Sequence, residues 1–333
     1  MKPRSRRIGN GDDGAQLVER LIQQDGVKFV LGPYSSGLTT AIAPVTEKYK
    51  IPMVEGNGAS RSLFNKGYKY LFAVLSTSEQ YLTEAIAVAA AKARAAGKDP
   101  KDVKIAIAVE NDPFSMDVRA GILDDAKKYG MEVVIDDKLP PELNDMTATL
   151  TKVKAIKPDV LVVSGHSKGA ALVTRQIGEM KVNVPMLAIT HCESANVIDE
   201  AKFGKNAENT LCAAQWAPTM SYDDRWFGSS MDYTKTFEKA FDYTPPYQAA
   251  ESTATVLVYA DALERAGVLD TEKVRDALAG TALNTFYGRV VFDETGKNVG
   301  KPMVLRQIQG GKYVPVAPTK FVTGEVVHPR PAW

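Results

Sequence analysis

The chain has 333 residues, which is long for one hydrophobic core and therefore predicts two lobes. Its 44% hydrophobic and 24% charged residues are ordinary for a globular protein, and its 41 basic side chains nearly cancel its 40 acidic ones. This balance excludes a strong global field that would attract nucleic acid or a membrane surface. No apolar run approaches the roughly 20 residues that a membrane-spanning helix needs.

Helix-like and strand-like segments alternate along the first two thirds of the chain. The first helix is indicated by the apolar stripe of Leu17, Val18, Leu21 and Ile22. The predicted order is helix 12–24, strand 27–31, helix 38–49, strand 51–54, helix 79–96, strand 105–109, helix 116–129, strand 131–135, helix 146–156, a strand–turn–helix unit over 160–176 and strand 186–189. Such βαβα order predicts parallel sheets covered by helices on both faces.

The pattern changes near Trp216, where residues 215–228 are rich in turn formers and aromatics. Predicted helices resume at 231–241, 248–266 and 271–279, and predicted strands follow at 289–292 and 304–308. We therefore expect the second half of the chain to return and complete the first lobe. In open α/β sheets, the ligand lies at the carboxyl ends of the strands, which in a two-lobed chain means the cleft between the lobes.

Three predicted strands are followed by candidate ligand loops, at 32–37, 55–60 and 111–115. Small hydroxyl residues and free main-chain amides at a helix start form an anion site, and Gly56 and Gly58 allow close approach to a ligand. Each loop also has an explanation without a ligand: a serine that caps a helix at 32–37, an empty turn at 55–60, and a buried packing role for Phe114 at 111–115. Nucleotide binding is weakly supported, since no phosphate-loop lysine and no G-x-G-x-x-G helix start occur.

The segment Gly165-His166-Ser167-Lys168-Gly169 matches G-x-S-x-G, the turn that carries the nucleophile of α/β-hydrolases. A hydrolase would need a base after Ser167, and only His191 and His328 follow it. The oxyanion segment that precedes the serine in such enzymes is missing, and glycine suits any tight strand-to-helix turn. We therefore expect Ser167 to cap its helix rather than to act as a nucleophile.

Cysteine and histidine are both rare in this chain. Cys192 and Cys212 are compatible with two thiols or with one disulfide, and they indicate neither a disulfide framework nor a zinc site. Three scattered histidines show no ligand spacing, so no metal and no cofactor are predicted.

Several segments in order resemble the periplasmic leucine/isoleucine/valine-binding protein family, the type I substrate-binding proteins of ABC importers. The matching segments are LGPYSS at 31–36, IPMV at 51–54, NGAS at 57–60, GYKYLF at 67–72, IAIAVENDPFS at 105–115, KPDV at 157–160, 247–267 and GRVVFDETG at 288–296. The resemblance implies an α/β type I periplasmic binding protein with two Rossmann-like lobes and a hinge of three crossovers. It places the first lobe at 1–76 and 217–292, and the second at 77–216 and 293–333.

The resemblance also implies which residues bind the ligand. Ser36 and the loop 57–60 match positions that clamp a ligand carboxylate, while Phe114, His166 and Tyr247 match positions that line the cleft. The complete set of predicted ligand-binding residues is Tyr34, Ser35, Ser36, Asn57, Gly58, Ala59, Ser60, Phe114, His166, Thr190 and Tyr247.

Two departures from the family pattern bear on these expectations. Where amino-acid binders place an acidic residue for the ligand ammonium, this chain has Thr190, so either Glu193 reaches in or the ligand has no α-amino group. The family also begins with a signal sequence and a βαβ segment, whereas this chain opens after them. We interpret its start as truncated or misassigned, with the basic run 2–7 foreign to the fold.

The resemblance therefore predicts a non-enzymatic, monomeric receptor in the periplasm. It would bind a small carboxylate, either a branched-chain or hydrophobic amino acid or an aromatic acid, and deliver it to ABC permease subunits after closure of the lobes. Two alternatives stay open at this point: a cytoplasmic amide or amino-acid sensor of the same fold, and a serine hydrolase using Ser167.

Overall fold

The computed structural model describes residues 11–141 and 144–332, and the basic run 2–7 lies outside them. Its α-helices are α1 Gly11–Gln23, α2 Ser36–Lys48, α3 Thr83–Ala95, α4 Pro113–Tyr129, α5 Thr147–Ile156, α6 Ser167–Glu179, α7 Glu200–Phe203, α8 Ser230–Phe241, α9 Tyr247–Ala266 and α10 Thr271–Ala279. Its strands are β1 Val30–Leu31, β2 Met53–Glu55, β3 Leu71–Ala73, β4 Lys104–Glu110, β5 Glu132–Leu139, β6 Val160–Ser164, β7 Met186–Ile189, β8 Leu211–Ala214, β9 Asp223–Asp224, β10 Gly228–Ser229, β11 Ala282–Thr285, β12 Gly288–Val291, β13 Val304–Gln309 and β14 Lys312–Ala317. Within the described ranges, no helix combines the length and apolar character that crossing a bilayer requires.

The chain divides into two compact units, each made of three segments. The first unit comprises residues up to Thr77, Tyr222–Ser229 and Gln248–Lys301, and the second comprises Ser78–Ser221, Ser230–Tyr247 and the residues from Pro302 onward. The lobe boundaries expected from the sequence stay a prediction, and they differ from this division mainly at 230–247. Those residues group with the second unit, where Tyr233 of α8 packs edge-on against the Trp216 ring at 5.8 Å.

The second unit is built on a seven-stranded sheet in the order β14-β13-β8-β7-β6-β4-β5. Strands β4 to β8 pair in parallel, whereas β13 runs antiparallel to both β8 and β14. Strands β6 and β7 read VLVVS and MLAI, and every one of their residues is buried. Continuous apolar runs of this kind are typical of parallel strands covered on both faces.

The first unit contains a three-stranded parallel sheet in the order β1-β2-β3. Helix α9 holds one end of this sheet through Tyr259, whose hydroxyl donates to the carbonyl oxygens of Val30 at 2.9 Å and Pro52 at 2.6 Å. The predicted strand 27–31 is shorter in the structure, because only Val30 and Leu31 pair with β2.

A disulfide joins Cys192, which follows β7, to Cys212 in β8. The two cysteines lie 20 residues apart in the chain and both are buried in the core of the second unit. The question that the sequence left open, thiols or bridge, is answered in favour of the bridge.

Candidate functional site

In the first unit, the loop after β1 leads directly into helix α2. Tyr34 is exposed, and Ser35 precedes the helix in an extended conformation without a side-chain capping bond. Ser36 is only 2% exposed, and its Oγ accepts a hydrogen bond from the Ser60 amide at 3.0 Å. This bond ties the two loops that were predicted to clamp a carboxylate, but it also occupies the Ser60 amide.

The loop after β2 is organised around the buried carboxylate of Glu55. Its Oε1 accepts hydrogen bonds from the amides of Asn57 at 2.6 Å and Gly58 at 2.8 Å, and its Oε2 accepts one from the Thr39 hydroxyl at 2.7 Å. The loop 57–60 was predicted to present free main-chain amides to a ligand. That expectation is wrong for Asn57 and Gly58, because Glu55 already uses both.

The close backbone approach expected at the loop glycines serves the protein itself. A Cβ on Gly58 would lie 2.3 Å from Thr39 Oγ1, and a Cβ on Gly56 would lie 2.8 Å from Thr255 Cγ2. A Cβ on Gly32 would lie 2.2 Å from Glu55 Oε2. These glycines make room for the groups around Glu55, which is a physical reason for them that does not involve a ligand.

The other polar groups of this loop also have partners within the first unit. Asn57 Nδ2 donates to Ser252 Oγ of α9 at 2.8 Å, and the hydroxyls of Ser60 and Ser62 lie 2.8 Å apart. Ala59 is buried between them. The hydrogen bond between Asn57 and Ser252 therefore attaches the loop 57–60 to helix α9.

Glu55 should make the stability of the protein depend on pH. Complete burial is the largest influence on this carboxyl group and raises its pKa from 4.5 to about 7, although hydrogen bonds from Asn57, Thr39 and Gly58 oppose the shift. A carboxyl group with a raised pKa holds its proton more tightly in the folded state. Its stabilising contribution is therefore complete below pH 4.5 and is lost as the pH rises to about 7.

We expect the unfolding free energy of the parent protein to fall relative to that of Glu55→Gln over this interval, by no more than about 1.4 kcal/mol per pH unit. Urea denaturation at a series of pH values measures it, with the exposed Glu264→Gln as the matched control. Parallel pH profiles for the parent and Glu55→Gln would show that Glu55 carries no such shift.

In the second unit, four rings gather where β4, β6 and β7 end. Phe114 contacts Tyr81 edge-on at 4.9 Å, His191 edge-on at 5.1 Å and His166 at 5.6 Å, while the two imidazoles lie 5.1 Å apart. Phe114 is placed by the start of α4, where Asp112 Oδ1 accepts hydrogen bonds from the amides of Phe114 and Ser115. Asp112 and Pro113 are a strong helix-start signal, and they explain why α4 begins three residues before the predicted helix.

Two carboxylates accompany these rings. His166 Nε2 lies 3.6 Å from Asp112 Oδ1, and the amide of His166 donates to Glu110 Oε2 at 3.4 Å. Burial alone would raise the pKa of Asp112, but its hydrogen bond and ion pair with His166 outweigh burial and lower it. Burial would likewise lower the pKa of His166, and the attraction of Asp112 and Glu110 reverses that into a raised pKa.

His191 behaves in the opposite way. Complete burial, followed by repulsion from His166, lowers its pKa to about 3, so the imidazole is neutral at physiological pH. Its backbone has a φ of 61°, which is unusual for a residue other than glycine and is found most often in turns and at functional sites. Glu110, Asp112 and His191 are absent from the predicted ligand-binding residues, although Asp112 lies in the candidate loop 111–115 and each of the three lies at or just after the carboxyl end of a predicted strand.

Thr190, Tyr247 and Glu193 occupy the neighbouring loops of the second unit. Thr190 Oγ1 donates to the Gly165 carbonyl at 3.4 Å, and the Tyr247 amide donates to Glu193 Oε2 at 3.2 Å. The other oxygen of Glu193 forms a short ion pair with Arg306 of β13. Of the two possibilities left by the sequence, a Glu193 that reaches toward a ligand ammonium is therefore disfavoured, because its carboxylate is held by Arg306.

Ser167 is the first residue of α6, and the position before the helix is taken by His166, whose side chain forms no capping bond. The prediction that Ser167 caps the helix is therefore wrong. Its hydroxyl donates to Ser194 Oγ at 2.8 Å rather than to a histidine. This arrangement lacks the serine–histidine hydrogen bond by which a nucleophilic serine is activated.

Comparison with known proteins identifies the family. The family model described as "Periplasmic binding protein" matches residues 9–312. The "Leu/Ile/Val-binding protein homolog 8" of Brucella abortus is 30% identical over 163 residues, and this alignment covers 49% of the present chain and 40% of that relative. The chain thus matches less than half the length of this curated relative.

Two solved structures share the fold over nearly the whole chain. The branched-chain amino acid binding protein LivJ from Streptococcus pneumoniae, in complex with isoleucine, superposes with a TM-score of 0.80 at 20% identity and covers 94% of this chain and 86% of its own. A solute-binding protein from R. palustris in complex with benzoate gives 0.78 at 16% identity, covering 94% and 83%. The predicted fold class, a type I periplasmic binding protein, is confirmed, and the chain belongs to the periplasmic binding protein family.

Proposed function

We propose that this chain is an extracytoplasmic solute receptor of an ABC importer and that it binds a small carboxylate carrying an apolar or aromatic group. The observation that supports this most is the ring cluster of the second unit, Tyr81, Phe114, His166 and His191, at the carboxyl ends of parallel strands. Flat apolar faces with a few polar groups are what a small apolar ligand requires.

The carboxylate of the ligand is assigned to the first unit. Ser36 lies at the start of α2, where no side chain of Ser35 caps the first-turn amides. Helix N-termini of this kind attract anions through their amides and the helix dipole. Because Glu55 already uses the amides of Asn57 and Gly58, the proposal rests on Ser36 and the α2 start more than on the loop 57–60.

The proposed location outside the cytoplasm is supported by the bridge between Cys192 and Cys212. Structural disulfides persist in oxidising compartments and are rare in the cytosol. This feature favours the importer receptor over the cytoplasmic sensor of the same fold. Delivery of the ligand to a permease follows from the same proposal.

Calorimetric titration with isoleucine, leucine and benzoate tests the proposal, since related structures hold isoleucine and benzoate. We expect one of these ligands to bind, and Ser36→Ala to weaken it by about 10- to 100-fold, the scale of a hydrogen bond to a charged group. Phe114→Ala should also lower the affinity for the same ligand, because it removes a ring that would contact the apolar group of the ligand.

Thr236→Ala is the matched control, because among the described residues this hydroxyl donates to the Asp232 carbonyl of the same helix, α8, at 2.9 Å. Circular dichroism verifies that each variant is folded, which matters for Ser36→Ala since the Ser60 amide loses its acceptor. The proposal fails if none of the three ligands binds, or if both site variants retain the parent affinity.

A further inference from the structure

Three side chains capable of binding a metal converge in the second unit, where β4 and β6 end. One ligand atom from each of Glu110, Asp112 and His166 lies within 4.8 Å of the other two. Glu110 is buried, while Asp112 and His166 are partly buried, so this is not an ordinary acidic surface patch. The parallel pairing of β4 with β6 brings Glu110 and His166 together across more than fifty residues of sequence.

Asp112 divides its two oxygens between different environments. Oδ1 accepts the capping bonds of α4 and faces His166, whereas Oδ2 is buried and has no hydrogen-bond partner among the described residues. A buried carboxylate oxygen without a partner loses its hydration without compensation. A cation beside Oδ2 would remove that cost.

An independent observation comes from His191, which follows the next strand, β7. Its side chain is buried, the residue being only 4% exposed, and its Nδ1 also lacks a hydrogen-bond partner in the described chain. The His166 and His191 ring centroids are 5.1 Å apart. The His191 ring therefore borders the cluster, and its buried nitrogen loses hydration without compensation.

We propose that Glu110, Asp112 and His166 form a binding site for a divalent transition-metal ion of the zinc class. One imidazole nitrogen and two carboxylates, with a fourth position left for water, are a donor set that suits Zn²⁺, whereas Mg²⁺ and Ca²⁺ prefer oxygen ligands alone. The ring of Phe114 contacts both imidazoles, Tyr81 packs edge-on against Phe114, and these rings would shield the ion from water.

Calorimetric titration of chelator-treated protein with Zn²⁺, in the absence of any carboxylate ligand, tests this site. We expect one Zn²⁺ per chain, and at least tenfold weaker binding by His166→Gln and by Asp112→Asn, since even an outer-shell partner of a metal site is worth 10- to 100-fold. Mg²⁺ should give no comparable heat. His328→Gln is the matched control, because His328 lies beside Val160 at the beginning of β6, whereas His166 follows the end of that strand.

A crystal of the zinc-loaded protein, examined by anomalous scattering at the zinc edge, then locates the ion. The proposal is overturned if no Zn²⁺ binds, if His328→Gln weakens binding as much as the other variants, or if the anomalous peak lies away from Asp112. Should Asp112→Asn fold poorly because Asp112 caps α4, the partly exposed His166 still decides the result. A negative outcome leaves the receptor proposal intact, since carboxylate binding is measured separately.

Discussion

Glu193→Ala is expected to lower the free energy of unfolding by about 3–5 kcal/mol, the cost of leaving one member of a buried ion pair alone. Its partner Arg306 is only 2% exposed on β13, and Glu193 is 12% exposed. Burial alone would lower the pKa of Arg306, but Glu193 outweighs burial and raises it, so the guanidinium stays charged. Arg306 Nη1 makes the ion pair with Glu193, whereas its Nε and Nη2 have no hydrogen-bond partner in the described chain. The guanidinium also lies over the Tyr313 ring at 4.7 Å.

Urea denaturation followed by circular dichroism measures this loss without adding salt that would screen charges. Glu264→Gln is the comparison, because its ion pair with Arg225 has both side chains 58% exposed and should be worth no more than about 1 kcal/mol. The double variant Glu193→Leu with Arg306→Met should recover much of the lost stability. Equal, small effects of Glu193→Ala and Glu264→Gln would contradict a stabilising role for the buried pair.

Replacing Cys192 and Cys212 together by alanine should cost about 3 kcal/mol, because their bridge closes a loop of about 20 residues that is otherwise free in the unfolded chain. Both side chains are buried, so alanine adds no polar group to the core. The small cavities that the two sulfur atoms leave add to this loss.

Urea denaturation of the parent protein, with and without reductant, separates these effects. Reductant should destabilise the parent toward the double-alanine variant and leave that variant unchanged. The bridge would contribute nothing to stability if the parent and the double-alanine variant unfolded at the same urea concentration and reductant did not change the midpoint of the parent.

The fold was largely predictable, because the strands of the second unit are short, continuous apolar runs separated by helical periodicity. The missed strand β14 shows where this reasoning stops, since Lys312–Ala317 begins with a charge and contains Pro315. A signal was nevertheless present: Gly310-Gly311, both with positive φ, form the two-residue turn of a β-hairpin. Strand β3 is only three residues long and becomes recognisable through its pairing with β2.

The loops that form the candidate site were predictable from the sequence, but the hydrogen-bond partners of their residues were not. The sequence places polar residues after each strand, yet it does not show that Glu55 takes the amides of Asn57 and Gly58. The histidines looked scattered because they are 25 positions apart, although β6 and β7 are neighbours in a parallel sheet. Adjacent parallel strands bring the residues that follow them together, and this rule would have paired His166 with His191.

The strand order of the second unit has a consequence for how the chain must fold during synthesis. Strand β8 lies inside the finished sheet, but its neighbour on one side is β13, which is made only after the later segments of the first unit. Until β13 has left the ribosome, Leu211–Ala214 form an unpaired edge strand of the sheet. Such an edge is prone to pair with other chains. The nascent protein is therefore most exposed to aggregation late in translation, when most of its length has already emerged.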